Sequence, residues 1–323
     1  MTNFIVKGTL LFEALGALFL AFQFVPQMGL AKGIWFSIFH SISSFCNAGF
    51  DLMGETSGPC SSLTSFTGNA LINLPVIFLI IVGGLGFFVW DDVKEHRFQH
   101  GFYHLQTKLV LFTTLLLILG PFVFLFLFEF SRDCWGFLSL RERFLAALFQ
   151  AVTPRTAGYN TVDLTLLSEP SQFLTILLMI IGGSPGSTAG GIKTTTFAIA
   201  LLCIRSAFRN QDGIQCFQRR IPYDILRNAT AIVAMYLSLL FTASFLIAWL
   251  ENVNLMKAVF ESASAIATVG LSLGITGSLS TASKIILILL MYFGRVGGLT
   301  MLYALTRRGK FPALLPQERV TVG

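Results

Sequence analysis

Charge is what this 323-residue sequence has least of. Asp, Glu, Lys and Arg together make up 12% of it, about half the share of an ordinary soluble domain, which carries ~25%. Hydrophobic residues supply 54%, with 33 Phe among them, and the mean hydropathy is +0.74. Such a chain could not stay in water, which predicts an integral membrane protein and excludes a soluble one. The net charge of +6 does not make it a nucleic-acid binder, because the basic residues are not spread over a soluble face. Cysteine is also scarce. Cys46, Cys60, Cys134, Cys203 and Cys216 lack any CxxC spacing, so neither a zinc site nor a disulfide framework is expected. The four histidines, His40, His96, His100 and His104, have no metal-ligand spacing. No paired-carboxylate, Ser/His/Asp or HExxH constellation is present, and an enzyme is not expected.

Against that background one stretch recurs. Phe260 to Gly274, FESASAIATVGLSLG, has two weaker copies: Phe39 to Phe50, FHSISSFCNAGF, and Phe149 to Tyr159, FQAVTPRTAGY. Each runs Phe, a polar side chain (His40, Gln150, Glu261), a small residue, and a hydroxyl two positions on (Ser43, Thr153, Ser264). Each then reaches a lone glycine, and Gly49, Gly158 and Gly270 fall 109 and 112 residues apart. Such a unit predicts a short amphipathic helix followed by an irregular segment. Glycine there reaches backbone conformations closed to other residues and can turn its carbonyl oxygens to one side. If the three copies converge on one axis, stacked carbonyls can replace the water around a cation, as in a potassium-channel filter. Thr268-Val269-Gly270 shares the TVG of such filters. A lone glycine near a helix end is more often a cap, but threefold recurrence in matching context favours the filter.

Roughly 20 apolar residues cross the hydrocarbon core. Phe4 to Val25 is read as a membrane helix and not a cleaved signal. Phe36 to Cys46 is too short to span and is expected to enter and leave on one side, and Ala70 to Trp90 is the second crossing. The same plan is expected for Leu109 to Phe130, Arg143 to Asn160 and a span from Phe173, then for Ala229 to Leu250, Met256 to Leu271 and Ser283 to Leu305. The predicted fold is an all-α polytopic membrane protein of three parallel helix, re-entrant pore helix, helix repeats, over residues 1–106, 107–227 and 228–323. Parallel units argue against the inverted repeats of many secondary transporters. The inter-repeat connections (Lys94, Arg97, Lys108; Arg205, Arg209, Arg219, Arg220, Arg227) and the tail (Arg307, Arg308, Lys310, Arg319) hold 12 of the 22 Lys and Arg residues. The positive-inside rule makes these segments cytoplasmic and puts the glycine segments on the outer side. The segment 205–227 could meet anionic lipid, the default at about 1 kcal/mol per basic residue, or a cytosolic partner.

One expected span is interrupted. Gly182 through Gly191 reads GGSPGSTAGG, and five glycines with a proline cannot continue a helix. Irregular backbone at membrane depth is tolerated only in protein or beside water, which predicts a gate bordering the permeation path over a simple hinge. A phosphate-binding loop is rejected, since Ile192 intervenes between the second glycine and Lys193 and no strand precedes. Arg295 lies mid-span, where charge is costly unless paired. It is expected to repel ions or tether the loop, the plainer alternative being a pair with Glu13 or Glu261. Lys193 is expected to snorkel, Gln150 and Glu261 to support the glycine segments from behind, and Arg155 to brace loose carbonyls.

With these motifs the sequence resembles the Trk/Ktr/HKT superfamily of potassium transporters. FHSISSFCNAGF is similar to that family's second-repeat filter, QAVTPRTAGYNTVDL to the third, ATVGLSLGIT with FGRVGGLT to the fourth, and GGSPGSTAGGIKT to its intramembrane gating loop. HLQTKLVL and the ending PQERVTVG are most similar to the bacterial KtrB-type branch. The resemblance implies potassium uptake across the cell inner (cytoplasmic) membrane, with potassium as the transported ion, no covalently bound cofactor and sodium as a candidate modulator. It implies a filter of Asn47, Ala48, Gly49, Thr156, Ala157, Gly158, Thr268, Val269 and Gly270, with the carbonyls of Gly49, Gly158 and Gly270 holding the ion. The gate it implies comprises Gly182, Gly183, Ser184, Gly186, Gly190, Gly191, Lys193 and Arg295. The implied partners are a second copy of the chain, a cytosolic nucleotide-binding (RCK-type) regulatory subunit and membrane lipid, with no nucleic acid. Glycine at all three positions resembles potassium-selective members and not the sodium-carrying plant-type ones. The family plan has four repeats and this sequence shows three, matching the second to fourth. Two further functions therefore stand beside potassium uptake: a shortened, non-conducting assembly partner, and a sodium/potassium-permeable member.

Overall fold

Each apolar run closes its backbone hydrogen bonds within itself, as hydrocarbon requires, and the chain is a bundle of helices. The computed structural model describes residues 2–58, 61–97, 99–210, 213–298 and 300. The basic tail from Arg307, the end of the last expected span, Cys60 and the PQERVTVG ending lie outside these residues. The first set is α1 (Thr2–Met28), α2 (Leu30–Phe45), α3 (Ala70–Leu85) and α4 (Phe87–His96). The second is α5 (Leu105–Phe124), prolonged by a π-helical turn to Glu129, with α6 (Leu140–Val152), α7 (Glu169–Ile180) and α8 (Thr194–Phe208). A small hairpin, β1 (Gln215–Cys216) and β2 (Arg219–Arg220), leads to the third: α9 (Tyr223–Glu251), α10 (Leu255–Ile266) and α11 (Thr281–Val296). Among the described residues, α1, α5 with its π turn, and α9 are each long and apolar enough to cross a membrane, and α3 with α4 forms a bent fourth candidate. The protein is an all-α polytopic membrane protein.

The structure corrects the expectation that only the middle unit is interrupted. The second helix of every set breaks at a Gly-x-x-Gly step whose last glycine has positive φ. These are Gly83 to Gly86 (φ 90°), Gly183 to Gly186 (φ 71°) and Gly294 to Gly297 (φ 88°). The expected straight crossing from Ala70 to Trp90 is therefore two helices at 91° to each other, α3 and α4, hinged on Gly86. A residue with a side chain resists that backbone; glycine does not.

The first glycine of the step has a packing role in the outer two sets. A Cβ on Gly83 would stand 2.0 Å from the Phe45 carbonyl oxygen, and one on Gly294 would stand 1.9 Å from that of Ile266. Phe45 and Ile266 are the last residues of α2 and α10, so the bare helix surface lets the short helix end against the long one. The far ends are pinned by carboxylates. Buried Glu129 accepts from Ser171 Oγ at 2.7 Å, Trp135 Nε1 at 3.1 Å and Arg132 Nη1 at 2.6 Å, and also from the Ser168 hydroxyl and N–H. Glu251 accepts from the Ser280 N–H at 2.9 Å and from the Ser280 and Ser283 hydroxyls, each at 2.5 Å. In both, a Ser-x-x-Ser at the start of the second helix closes on the Glu that ends the first, satisfying donors the helix start would leave free.

Gly83→Ala and Gly294→Ala should each lower the melting temperature in detergent by an amount corresponding to about 1–3 kcal/mol of overpacking. Gly120→Ala, whose Cβ would meet nothing within 4 Å, should melt at or above the parent. Equal melting of all three variants would show that the close approach is not needed.

Candidate functional site

The three short helices α2, α6 and α10 end at one place, presenting their C-terminal carbonyls, the negative end of the helix dipole. The glycine segments follow them with one conformation repeated three times. Asn47 (φ 49°), Thr156 (φ 70°) and Thr268 (φ 55°) are left-handed, as are Gly49 (φ 72°), Gly158 (φ 89°) and Gly270 (φ 95°), while Ala48, Ala157 and Val269 between them are not. Backbone with positive φ at alternate residues can turn successive carbonyls toward the same side of the chain. A β-branched residue at positive φ is a rare and costly state, and threonine holds it twice here.

Strain of that kind persists only where the surroundings over-determine it, and the hydroxyl of each repeat does so. Ser43 Oγ donates to the Phe50 carbonyl at 2.7 Å and Thr153 Oγ1 to that of Tyr159 at 2.5 Å. Ser264 Oγ instead accepts from the Gly270 N–H at 3.0 Å. The short-helix backbone binds the same segments, through Ala48 N–H to Ser43 O at 2.9 Å, Ala157 N–H to Thr153 O at 3.0 Å and Val269 N–H to Ser264 O at 2.8 Å.

The polar residues after the repeat phenylalanine lie behind the segments. His40 donates from Nδ1 to the Phe36 carbonyl at 2.7 Å and accepts the Leu52 N–H on Nε2 at 3.3 Å. Glu261 accepts from Thr276 Oγ1 at 3.0 Å and from the Ser272 hydroxyl. Gln150 has no hydrogen-bond partner for its buried amide among the described residues. Arg155 differs from expectation. Among the described residues it braces no loop carbonyl but lies buried against α5, its Nη2 3.4 Å from Thr114 Oγ1.

The segments meet in rotation. A Cβ on Gly49 would stand 2.2 Å from the Ala157 oxygen, and one on Gly158 would stand 2.0 Å from the Val269 oxygen. A Cβ on Gly270 would meet nothing nearer than the Gly158 Cα at 4.0 Å. Between the third segment and the first lies a cleft of about 540 Å³, with Asn47 and Ala48 on one wall and Thr268, Val269 and Gly270 on the other. Arg295 also lines it.

The glycine-rich stretch between α7 and α8 packs directly against the inner ends of these segments. A Cβ on Gly190 would stand 2.2 Å from Thr268 Oγ1, and one on Gly182 would stand 2.0 Å from the Gly190 oxygen. Ser184 Oγ and Thr194 Oγ1 share a hydrogen bond of 2.9 Å across the base of the loop, and Gly182 N–H donates to Ile192 O at 2.9 Å. Gly191 is left-handed (φ 68°). Thr188, which the sequence did not single out, ties the loop to the first unit. Its Oγ1 donates to the Phe45 carbonyl at 3.1 Å and accepts from Asn47 Nδ2 at 3.0 Å. Its carbonyl accepts from Arg295 Nη1 at 2.9 Å. Arg295 thus bonds the loop and not Glu13 or Glu261. Lys193 does not extend outward as snorkelling would have it; its Nζ folds back onto the Ala189 carbonyl at 2.7 Å.

A family model described as TrkH, cation transport protein, matches residues 1–313. The Ktr system potassium uptake protein B of Vibrio alginolyticus is 39% identical over 99% of this chain and 69% of its own length. The chain belongs to the TrkH cation transport family. A second relative, the potassium/sodium uptake protein NtpJ of Enterococcus hirae, is 38% identical over 99% of this chain and 71% of its own length. The crystal structure of the potassium transporter TrkH from Vibrio parahaemolyticus shares the fold at a TM-score of 0.70 with 22% identity, covering 90% of this chain and 62% of that one.

Within this TrkH-family chain, Thr153→Val keeps the side-chain shape and strands the Tyr159 carbonyl, so it should cost about 1–3 kcal/mol of stability. Melting in detergent measures it, and an unchanged midpoint would remove the hydroxyl from the account of how the segment is held.

Proposed function

We propose that this chain is the ion-translocating subunit of a potassium uptake system in the cell inner (cytoplasmic) membrane. The observation that carries the proposal is the positive φ at the first and third residues, and not at the second, repeated at residues 47–49, 156–158 and 268–270 in three segments packed side by side. Carbonyls so turned exchange with the hydration shell of a cation, and three short helices aim their negative dipole ends at the same place. The filter residues are then Asn47, Ala48, Gly49, Thr156, Ala157, Gly158, Thr268, Val269 and Gly270. The names of the Vibrio and Enterococcus relatives, potassium uptake and potassium/sodium uptake, favour potassium as the ion and keep a sodium/potassium-permeable member as an alternative.

Beneath the filter, Gly182 to Gly191 with Lys193 and Arg295 form the gate. Two cations there oppose an ion leaving the filter, and the bond from Arg295 to Thr188 holds the loop across its path. The cleft beside Gly270 is the sector in which a fourth carbonyl-bearing segment completes the ring. Basic connections facing the cytoplasm follow from the positive-inside rule. They suit a nucleotide-binding regulatory subunit beneath a dimer of this chain, as family resemblance suggests. The open cleft also favours a second reading, a non-conducting assembly partner.

Potassium uptake into cells lacking their own systems separates the two, comparing this chain with a version extended upstream in frame by a further glycine-bearing repeat, both verified in the membrane. Uptake by either supports the conducting subunit, and uptake by neither leaves the assembly partner. In the conducting form, Gly270→Ser should lower the potassium-to-sodium flux ratio at least tenfold, and an unchanged ratio would count against the filter assignment. Arg295→Gln should raise potassium flux severalfold, and a flux no higher than the parent's would remove the arginine from the gate.

A further inference from the structure

A second cleft, of about 590 Å³, lies between the first half of α5, the length of α8 and the hairpin, and shares no residue with the cleft beside the glycine segments. Its walls include Phe112 and Leu116 from α5 and Phe197 and Leu201 from α8, and its rim carries Arg205 and Arg209. Phe112, Leu116 and Leu201 are among the exposed large hydrophobic side chains, which on membrane helices means exposure to lipid. The arginines stand four residues apart, so they share one face of α8. Neither guanidinium has an ion pair or hydrogen bond among the described residues. The hairpin closes the rim with a two-residue turn at Phe217 (φ 47°) and Gln218 (φ 61°), the left-handed pair of a type I′ turn.

The cleft is apolar along its depth and cationic at one end. From Phe197 to Arg209 the helix rises ~18 Å, slightly more than the ~15 Å of one leaflet's hydrocarbon. An occupant with its apolar part beside Phe197 and Leu201 would have its head beside the arginines. We propose that this cleft is a seat for an anionic glycerophospholipid, its phosphate between Arg205 and Arg209 and an acyl chain between α5 and α8. Free phosphate or a nucleotide would use the arginines and leave the apolar walls unmatched, and a zwitterionic lipid would bring a second cation to a cationic rim. The seat joins the two halves of the middle unit, α5 before its glycine segment and α8 after its loop, so a bound lipid would bear on the spacing between them.

The test is retention of phosphatidylglycerol by the whole chain. Protein reconstituted in phosphatidylcholine vesicles containing one-tenth phosphatidylglycerol is extracted in mild detergent, and the bound lipid is counted by native mass spectrometry. The parent should retain about one phosphatidylglycerol per chain in preference to phosphatidylcholine. Arg205→Gln with Arg209→Gln should weaken that preference about thirtyfold, as two basic residues beside an anionic headgroup are expected to contribute. The pair R205K and R209K should stay within a few-fold of the parent and shows that the site tolerates substitution. Leu201→Trp fills the cleft with both arginines in place and should also lose the lipid. Retention unchanged in either the glutamine pair or L201W would overturn the proposal. Equal loss in K94Q with R97Q, basic positions outside the cleft, would show diffuse attraction to the protein surface and overturn it as well.

Discussion

Three glycine segments packed side by side, each with left-handed residues, are the constraint on which the rest of this structure depends. Backbone outside a helix has no water to satisfy it at membrane depth, and Thr156 and Thr268 sit in left-handed states that β-branched residues avoid. Several features adjacent to Gly49, Gly158 and Gly270 offset those costs. Short helices end at the segments instead of crossing, hydroxyls at Ser43, Thr153 and Ser264 hold their outer ends, and bare surfaces at Gly83 and Gly294 admit the helix ends at closer range than any side chain would allow. Even the clasps at Glu129 and Glu251 serve this arrangement, since they fix the second helix of a unit to the first while the short helix is held between them.

The same constraint explains why the loop after α7 is where it is. A helix passing under the glycine segments would fill the space with side chains. A strand of glycine and small residues instead lies flat against Ala267 and Thr268 and satisfies its backbone through Gly83, Gly84 and Ile192. Thr188 also ties it to the neighbouring units, its side chain bonded to Phe45 and Asn47 of the first and its carbonyl held by the third unit's Arg295. One residue of the middle unit thus senses both neighbours, and movement of the loop necessarily breaks bonds to the first glycine segment.

Much of this was legible in the sequence, for identifiable reasons. Low charge fixed the membrane class, and the Phe, polar, small, hydroxyl spacing located all three short helices because each of those positions has one physical job. The break at Gly182 was legible because five glycines cannot be a helix. The equivalent breaks at Gly86 and Gly297 were passed over because one positive-φ glycine in an apolar run looks like any tolerated glycine, and only superposing GGLG, GSPG and GRVG at three-residue spacing brings them out. Arg155 and Lys193 were misjudged for the opposite reason. A long cation has many reachable acceptors, and spacing does not say whether it will choose Thr114, Ala189 or water.

That superposition also shows where the repeats stop being equivalent. Counting one residue past the first glycine of each Gly-x-x-Gly step gives Gly84, Ser184 and Arg295. Two of these have little or no side chain and lie within the packed interior, Ser184 being fully buried. At the third, a full positive charge occupies the same level beneath the glycine segments, on the side where the neighbouring cleft leaves room for it. A threefold frame built from identical parts needs no charge for its own stability. Placing one on a single unit, and spending its hydrogen bond on the loop of another, converts a repeated scaffold into an asymmetric one.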